Sequence, residues 1–210
     1  MKESKTVPAV VIRRLPRYYR YLGDLLKSDI TRISSGALSK KMNVTASQIR
    51  QDFNYFGGFG QQGYGYNVEY LYKEIGQILG LYDGNSMIII GAGNLGNALA
   101  DYTGFEKRGF KLIGIFDNNP EVIGTKINNL LVSDIKDLES FIEHNRVDIG
   151  ILAVPKTEAL ELAMRLSDSG VKGILNFCYT DIKIPTNTVI ENVHLSDHLM
   201  MLSYNIKKQR

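Results

Sequence analysis

Residues Met87 to Asp117 constrain this chain more than any other stretch. Met87–Ile90 is a short apolar run suited to a buried parallel strand. Gly91, Gly93 and Gly96 follow at G-x-G-x-x-G spacing, and a helical pattern starts near Asn94. Gly91 permits the tight turn, Gly93 lets a pyrophosphate approach the backbone, and Gly96 lets the helix pack close to the sheet. The loop Gly91-Ala92-Gly93-Asn94-Leu95-Gly96 then offers free N–H groups and a helix dipole to an anion. A second strand, Lys111–Phe116, ends in Asp117, about twenty residues past the last glycine. A plain βα turn would explain the glycines but not the aspartate. Asp117 can accept both hydroxyls of an adenosine ribose and would repel a 2′-phosphate. The following Asn118-Asn119-Pro120 supplies no arginine, so the pattern points to NAD(H) over NADP(H), with FAD a lesser alternative.

The rest of the C-terminal part alternates strands and helices. Apolar runs at Ile149–Val154, Gly173–Phe177 and Val189–Asn192 read as strands. Asp134–Asn145 and Thr157–Ser169 read as helices, the second with Leu160, Ala163, Met164 and Leu166 on its inner face. The expected class is α/β, a Rossmann-type parallel sheet with both faces covered. Ligands in such sheets lie at the carboxyl ends of strands, which adds Val154 and Pro155, and the segment Asn176 to Tyr179, as candidates. The final segment, Leu195–Lys208, carries an apolar stripe that its own domain or a second subunit must cover.

Charge separates the N-terminal part from this sheet. Residues 1–80 hold twelve Lys/Arg and six Asp/Glu, whereas residues 81–210 hold thirteen and sixteen. A basic first third suggests an anionic partner. Residues 1–9 read as an arm. A helix starts near Pro16, with Leu15, Tyr18, Tyr19, Leu22, Leu25 and Leu26 on one face. Ser34-Ser35 begins a short helix to Lys41. Thr45-Ala46-Ser47-Gln48 fits a capping box opening a second helix to about Asn54, with the Gln48 side chain reaching back. Ala46, Ile49 and Phe53 face inward, leaving Ser47, Gln48, Arg50, Gln51 and Asn54 free to meet base edges or phosphates. This is a helix-turn-helix. Phe59 to Tyr66 then forms a glycine-rich hairpin, a wing. Val68, Leu71, Tyr72, Ile75, Ile78 and Leu79 define a closing helix, and Leu81–Ser86 the linker. The expected domains are residues 1–84, a winged-helix DNA-binding domain with its linker, and 85–210, a dinucleotide-binding domain.

No apolar run approaches the ~20 residues of a membrane span, and no secretory pattern follows Met1. Cys178 is the only cysteine, so the cytoplasm is the expected compartment. His144, His194 and His198 occupy no obvious catalytic position, and no metal spacing occurs. A nucleotide domain joined to a DNA reader reads as a ligand-controlled switch, with a small NAD-dependent oxidoreductase as the alternative.

The chain resembles the Rex family of bacterial redox-sensing transcriptional repressors from about residue 10 to its end. The resemblance rests on Arg14-Leu15-Pro16-Arg17-Tyr18-Tyr19-Arg20, Gln48 to Gly57, Gly63-Tyr64-Gly65-Tyr66, Gly91–Gly96, Asp101 to Phe105, and Gly173 to Phe177. It implies a homodimer whose last helix is exchanged between subunits. It also implies binding to palindromic double-stranded operator DNA when NADH is scarce, and release by NADH with NAD+ competing. Under it, Tyr102, otherwise a core residue at a helix end, lies on the nicotinamide side. The DNA-contacting set becomes Arg14, Thr45, Ser47, Gln48, Arg50, Gln51, Asn54, Gln61, Gln62 and Gly63. Gln51 and Gln62 stand where many members have Lys and Arg, which should weaken phosphate contacts. His194 stands where members often have an Asp able to pair with the arginine corresponding to Arg20; Asp197, one turn on, is the expected substitute.

Overall fold

The computed structural model describes residues 7–56, 60–61 and 64–209. The chain divides into two compact units, Met1–Tyr82 and Asp83–Arg210.

The first unit runs α1 (Ala9–Ile12), α2 (Leu15–Lys27), β1 (Arg32–Ile33), α3 (Ser35–Met42), α4 (Ala46–Asn54), β2 (Gly60–Gln61), β3 (Gly65–Asn67) and α5 (Val68–Ile78). A helical turn, α1, follows the segment read as an arm and buries Val11. Pro16 sits in the first turn of α2, where its missing N–H costs nothing, and Leu15, Tyr18, Tyr19, Leu22 and Leu25 make its buried face. They share one core with Ile49 and Phe53 of α4 and Leu71 and Ile75 of α5. Tyr19 stacks on Tyr72 at 4.1 Å between ring centres. The strands form an antiparallel sheet in the order β1-β3-β2. Two-residue β1 carries no period to read and was not expected from sequence.

One buried charge organises this core. The Asp52 side chain is fully enclosed. Arg14 donates to it twice, from Nε and Nη2, each at 2.7 Å. Tyr18 Oη donates at 2.8 Å and Gln48 Nε2 at 3.0 Å. Arg14, among the expected DNA-contacting residues, holds this carboxylate with its side chain 21% exposed. One sequence expectation changes here. The Gln48 side chain reaches forward instead of back to its cap, because the enclosed Asp52 carboxylate one turn on is a strong acceptor for its amide N–H. Burial pushes the Asp52 carboxyl up, but the bonds from Arg14, Gln48 and Tyr18 outweigh it and hold it below its ordinary range.

The second unit runs β4 (Asn85–Ile90), α6 (Asn94–Ala100), β5 (Phe110–Asp117), β6 (Lys126–Ile127), β7 (Leu130–Asp134), α7 (Leu138–His144), β8 (Ile149–Leu152), α8 (Lys156–Asp168), β9 (Gly173–Asn176), β10 (Val189–Asn192) and α9 (Leu195–Lys207). The sheet order is β10-β9-β8-β4-β5-β7-β6, parallel except for β6. Ile88 and Ile90 of the central strand join the core on one face, and Met87 and Ile89 the core on the other. Asn85 and Ser86, expected in the linker, begin β4. Residues 134–145 are not one helix: β7 reaches Asp134, and a 3-10 turn, Ile135–Asp137, precedes α7. On α8 the buried stripe is Ala159, Leu162, Ala163 and Leu166. Leu160 and Met164 are 52% and 45% exposed. Apolar residues cover more than one face of this helix, so periodicity alone left its phase open.

The Asp52 network generates a stability prediction. Arg14→Ala should cost roughly 3–5 kcal/mol by stranding a buried carboxylate, read as a lower melting temperature of the first unit. The Asp52 contribution is present above the unfolded carboxyl value of about 3.9. It is lost as pH falls through the lower folded value. Asp52→Asn should therefore be less stable at pH 7 yet lose less stability on acidification, in circular-dichroism melts across that range.

Candidate dinucleotide cleft and nucleic-acid interface

From β4 the chain proceeds to β5 and β7 on one side of the sheet, then returns to β8, β9 and β10 on the other. The change of direction opens a crevice at the carboxyl ends of β4 and β8, the usual ligand position in such sheets. A cavity of about 200 Å³ lies there, lined by Gly91, Gly93, Asp117, Asn118, Val154 and Pro155, with Glu158, Ile135 and Leu162 among the other contributors. The last three carry no motif: two are apolar residues in ordinary positions, and Glu158 is a first-turn acid of α8.

The glycines act as their spacing suggests. Gly91 has φ +100°, and a Cβ there would meet the Ala153 carbonyl oxygen at 2.4 Å. A Cβ on Gly96 would lie 1.7 Å from the Gly91 oxygen, so α6 can approach β4 only without one. At Gly93 a Cβ would enter open space. No side chain caps α6. Its first N–H groups, at Asn94, Leu95 and Gly96, therefore lack intrahelical acceptors and suit a phosphate. Ala92 has another task. It is buried, and its N–H donates to Asp117 Oδ2 at 2.6 Å, so that N–H braces the loop instead of meeting a ligand directly. Asn97 Nδ2 donates to the Ala92 carbonyl at 2.9 Å.

Asp117 also accepts from Asn119 N at 2.8 Å through Oδ1. Each carboxylate oxygen keeps a further lone pair for a ribose hydroxyl. Tyr102 stands just beyond α6, 53% exposed and edge-on to Phe105, so it is not the core residue that its helix-end position suggested. Cys178 is buried, which pushes its thiol up, and it lies outside the cleft lining; Tyr179 is exposed.

In the first unit the two helices of the expected helix-turn-helix are capped as their sequences suggest. Ser34 Oγ accepts from Ala37 N at 3.0 Å, and Thr45 Oγ1 from Gln48 N at 3.1 Å. Asn43 ends α3 in the left-handed conformation, which sets the turn. Thr45, Ser47, Arg50, Gln51 and Asn54 are exposed, while Asp52, Ile49 and Phe53 face inward. Arg50 Nη1 donates to Ser35 Oγ at 3.0 Å, tying α4 to the start of α3. Gln61 lies in β2, antiparallel to β3; Gln62 and Gly63 lie outside the described residues.

Of the expected switch residues, Arg20 is exposed on α2 and Asp197 is exposed in the first turn of α9. His194 is mostly enclosed, its Nε2 2.9 Å from Asp181 Oδ1. The apolar residues of α9 remain uncovered by their own unit; Leu199 is 67% exposed. Among the described residues no His/Cys/Asp/Glu cluster could hold a metal ion, and no helix is long and apolar enough to cross a membrane.

Comparison with known proteins places separate family matches in the two parts of the chain. A family model described as a putative DNA-binding protein N-terminus matches residues 6–54, and one described as a CoA binding domain matches residues 83–180. The redox-sensing transcriptional repressor Rex of Thermoanaerobacter sp. (strain X514) is 57% identical over 209 residues, 100% of this chain and 93% of that protein. The protein of the same name from Clostridioides difficile (strain 630) is 52% identical over 208 residues, 99% of each chain. The crystal structure of RSP with β-NAD+ and operator DNA is 57% identical, with a TM-score of 0.91, covering 98% of this chain and 94% of that one. RSP with β-NADH gives 54% and 0.90, covering 98% and 96%. The α/β fold of this chain, a DNA-binding N-terminal domain followed by a Rossmann-like parallel sheet, matches that of the RSP structures. With more than half its residues shared over its whole length, the chain belongs to the Rex family of redox-sensing transcriptional repressors.

Proposed function

We propose that this chain represses transcription in the cytoplasm as a homodimer that binds palindromic operator DNA and is released by NADH, with NAD+ as the competing ligand. The observation that carries this reading is the pairing, in one chain, of an exposed polar helix face on a helix-turn-helix with a crevice built of Gly91, Gly93 and Asp117. Exposed Arg50, Gln51 and Asn54 meet base edges and phosphates, and Thr45 and Ser47 sit at the helix end nearest the backbone. In the cleft, Gly93 and the start of α6 receive the pyrophosphate. Asp117 accepts the ribose hydroxyls and disfavours a 2′-phosphate. Val154 and Pro155 form the wall below, and Tyr102 is placed toward the nicotinamide. The dinucleotide is a regulatory ligand, so no hydride acceptor or acid–base residue is required of the site.

The uncovered apolar face of α9 supports dimerisation through that helix, exchanged between subunits, because a stripe of this size is stable only when covered. A dimer with two arrangements, one of which spaces the two α4 helices to match operator half-sites, turns NADH binding into release by population shift. Coupling is reciprocal, so operator must weaken NADH binding by the factor by which NADH weakens operator binding.

Three outcomes follow. A labelled palindromic operator should bind with a rise in anisotropy that NADH reverses far more effectively than NAD+, and NADH affinity should fall when operator is present; equal NADH affinity with and without operator would refute the coupling. Leu199→Asp, which puts a charge on the α9 face, should shift the protein toward monomer in sedimentation velocity and weaken operator binding. Asp197→Ala should leave NADH binding intact but blunt NADH-driven release, because Asp197 stands in for the acid that family members often carry at position 194; unchanged release would exclude that role.

A further inference from the structure

The cleft contains one acid that the dinucleotide motif does not explain. Glu158 is half-buried in the first turn of α8 and lines the cavity with Asp117 and Asn118. The two carboxylates differ in occupancy. Asp117 is fastened by two backbone N–H groups. Glu158 Oε2 receives only a long contact, 3.4 Å, from Asn118 Nδ2, and no hydrogen bond to Oε1 occurs among the described residues. Glu158 and Asn118 thus place a carboxylate acceptor and an amide donor side by side at a cavity whose lining also includes apolar Ile135, Pro155 and Leu162.

The cavity, about 200 Å³, is smaller than the roughly 300–1,000 Å³ of pockets that enclose a whole small molecule. It therefore fits one moiety of a dinucleotide. Its position beside Asp117 makes that moiety the adenosine half. Apolar side chains suit the faces of a purine ring, and a donor next to an acceptor suits its edge.

We infer that Asn118 and Glu158 read the base: the Glu158 carboxylate accepts from the adenine 6-amino group and the Asn118 amide donates to N1. The inference rests on the proposed dinucleotide reading of this cleft. Hypoxanthine presents the inverse edge, an acceptor oxygen at position 6 and a donor at N1. It would oppose oxygen to carboxylate and N–H to N–H, and a site built around one hydrogen-bond pattern discriminates strongly against the reverse.

The test is isothermal titration of the full-length protein with NADH and with reduced nicotinamide hypoxanthine dinucleotide. NADH should bind tighter by on the order of 10-fold or more, the span of one charge-assisted hydrogen bond. Glu158→Gln, whose amide can present either oxygen or nitrogen, should bring the two affinities together. Asp117→Asn should weaken both ligands and leave their ratio in place. Equal affinities in the unsubstituted protein, or a ratio that ignores Glu158→Gln, would overturn the base-reading role while NADH binding still upheld the cleft. Binding of neither dinucleotide would overturn the cleft assignment and this inference with it.

Discussion

The hydrogen bond from Ala92 N–H to the Asp117 carboxylate is the constraint on which the nucleotide-binding end of the structure depends. It joins the turn after β4 to the end of β5, so the glycine loop and the ribose-side acid are one assembly. Asn119 N–H holds the other carboxylate oxygen, and Asn97 holds the Ala92 carbonyl. The loop is thereby preorganised, with Gly93 facing open space and the start of α6 directed at the same region. A ligand entering such a loop does not have to bear the entropy of ordering it.

The first unit relies on a different device for the same end. Asp52 interrupts an otherwise apolar helix face, and its burial is tolerated because Arg14, Tyr18 and Gln48 satisfy it. The charge links the start of α2 to α4, so the orientation of the polar helix face is set by directional bonds as well as by shape. The exposed Arg13, Arg17 and Arg20 of the same segment differ from Arg14 in which way they point.

His194 is engaged by Asp181, an acid of its own unit, at the entry to α9. That pairing orients the junction from which the apolar helix departs. The helix itself is amphipathic in the wrong sense for an isolated unit: its apolar side chains meet solvent, so its stability and the assembly of the protein are one question.

Much of this was legible in the chain itself. The βαβ unit, the three glycines, Asp117, the two capped helices and the final apolar segment all follow from local rules: a period, a cap, a residue that must lack a Cβ. Such signals survive because each acts within a few residues. The partner of Arg14, the phase of α8, the short strands β1, β6 and β7, and the presence of Glu158 beside Asn118 were not legible. Arg14 and Asp52 are 38 residues apart, and Asn118 and Glu158 are 40 apart. Nothing local distinguishes an arginine that will find a buried carboxylate from one that will stay in water. Only packing decides which side chains meet, because burial depends on what the rest of the chain brings to each face.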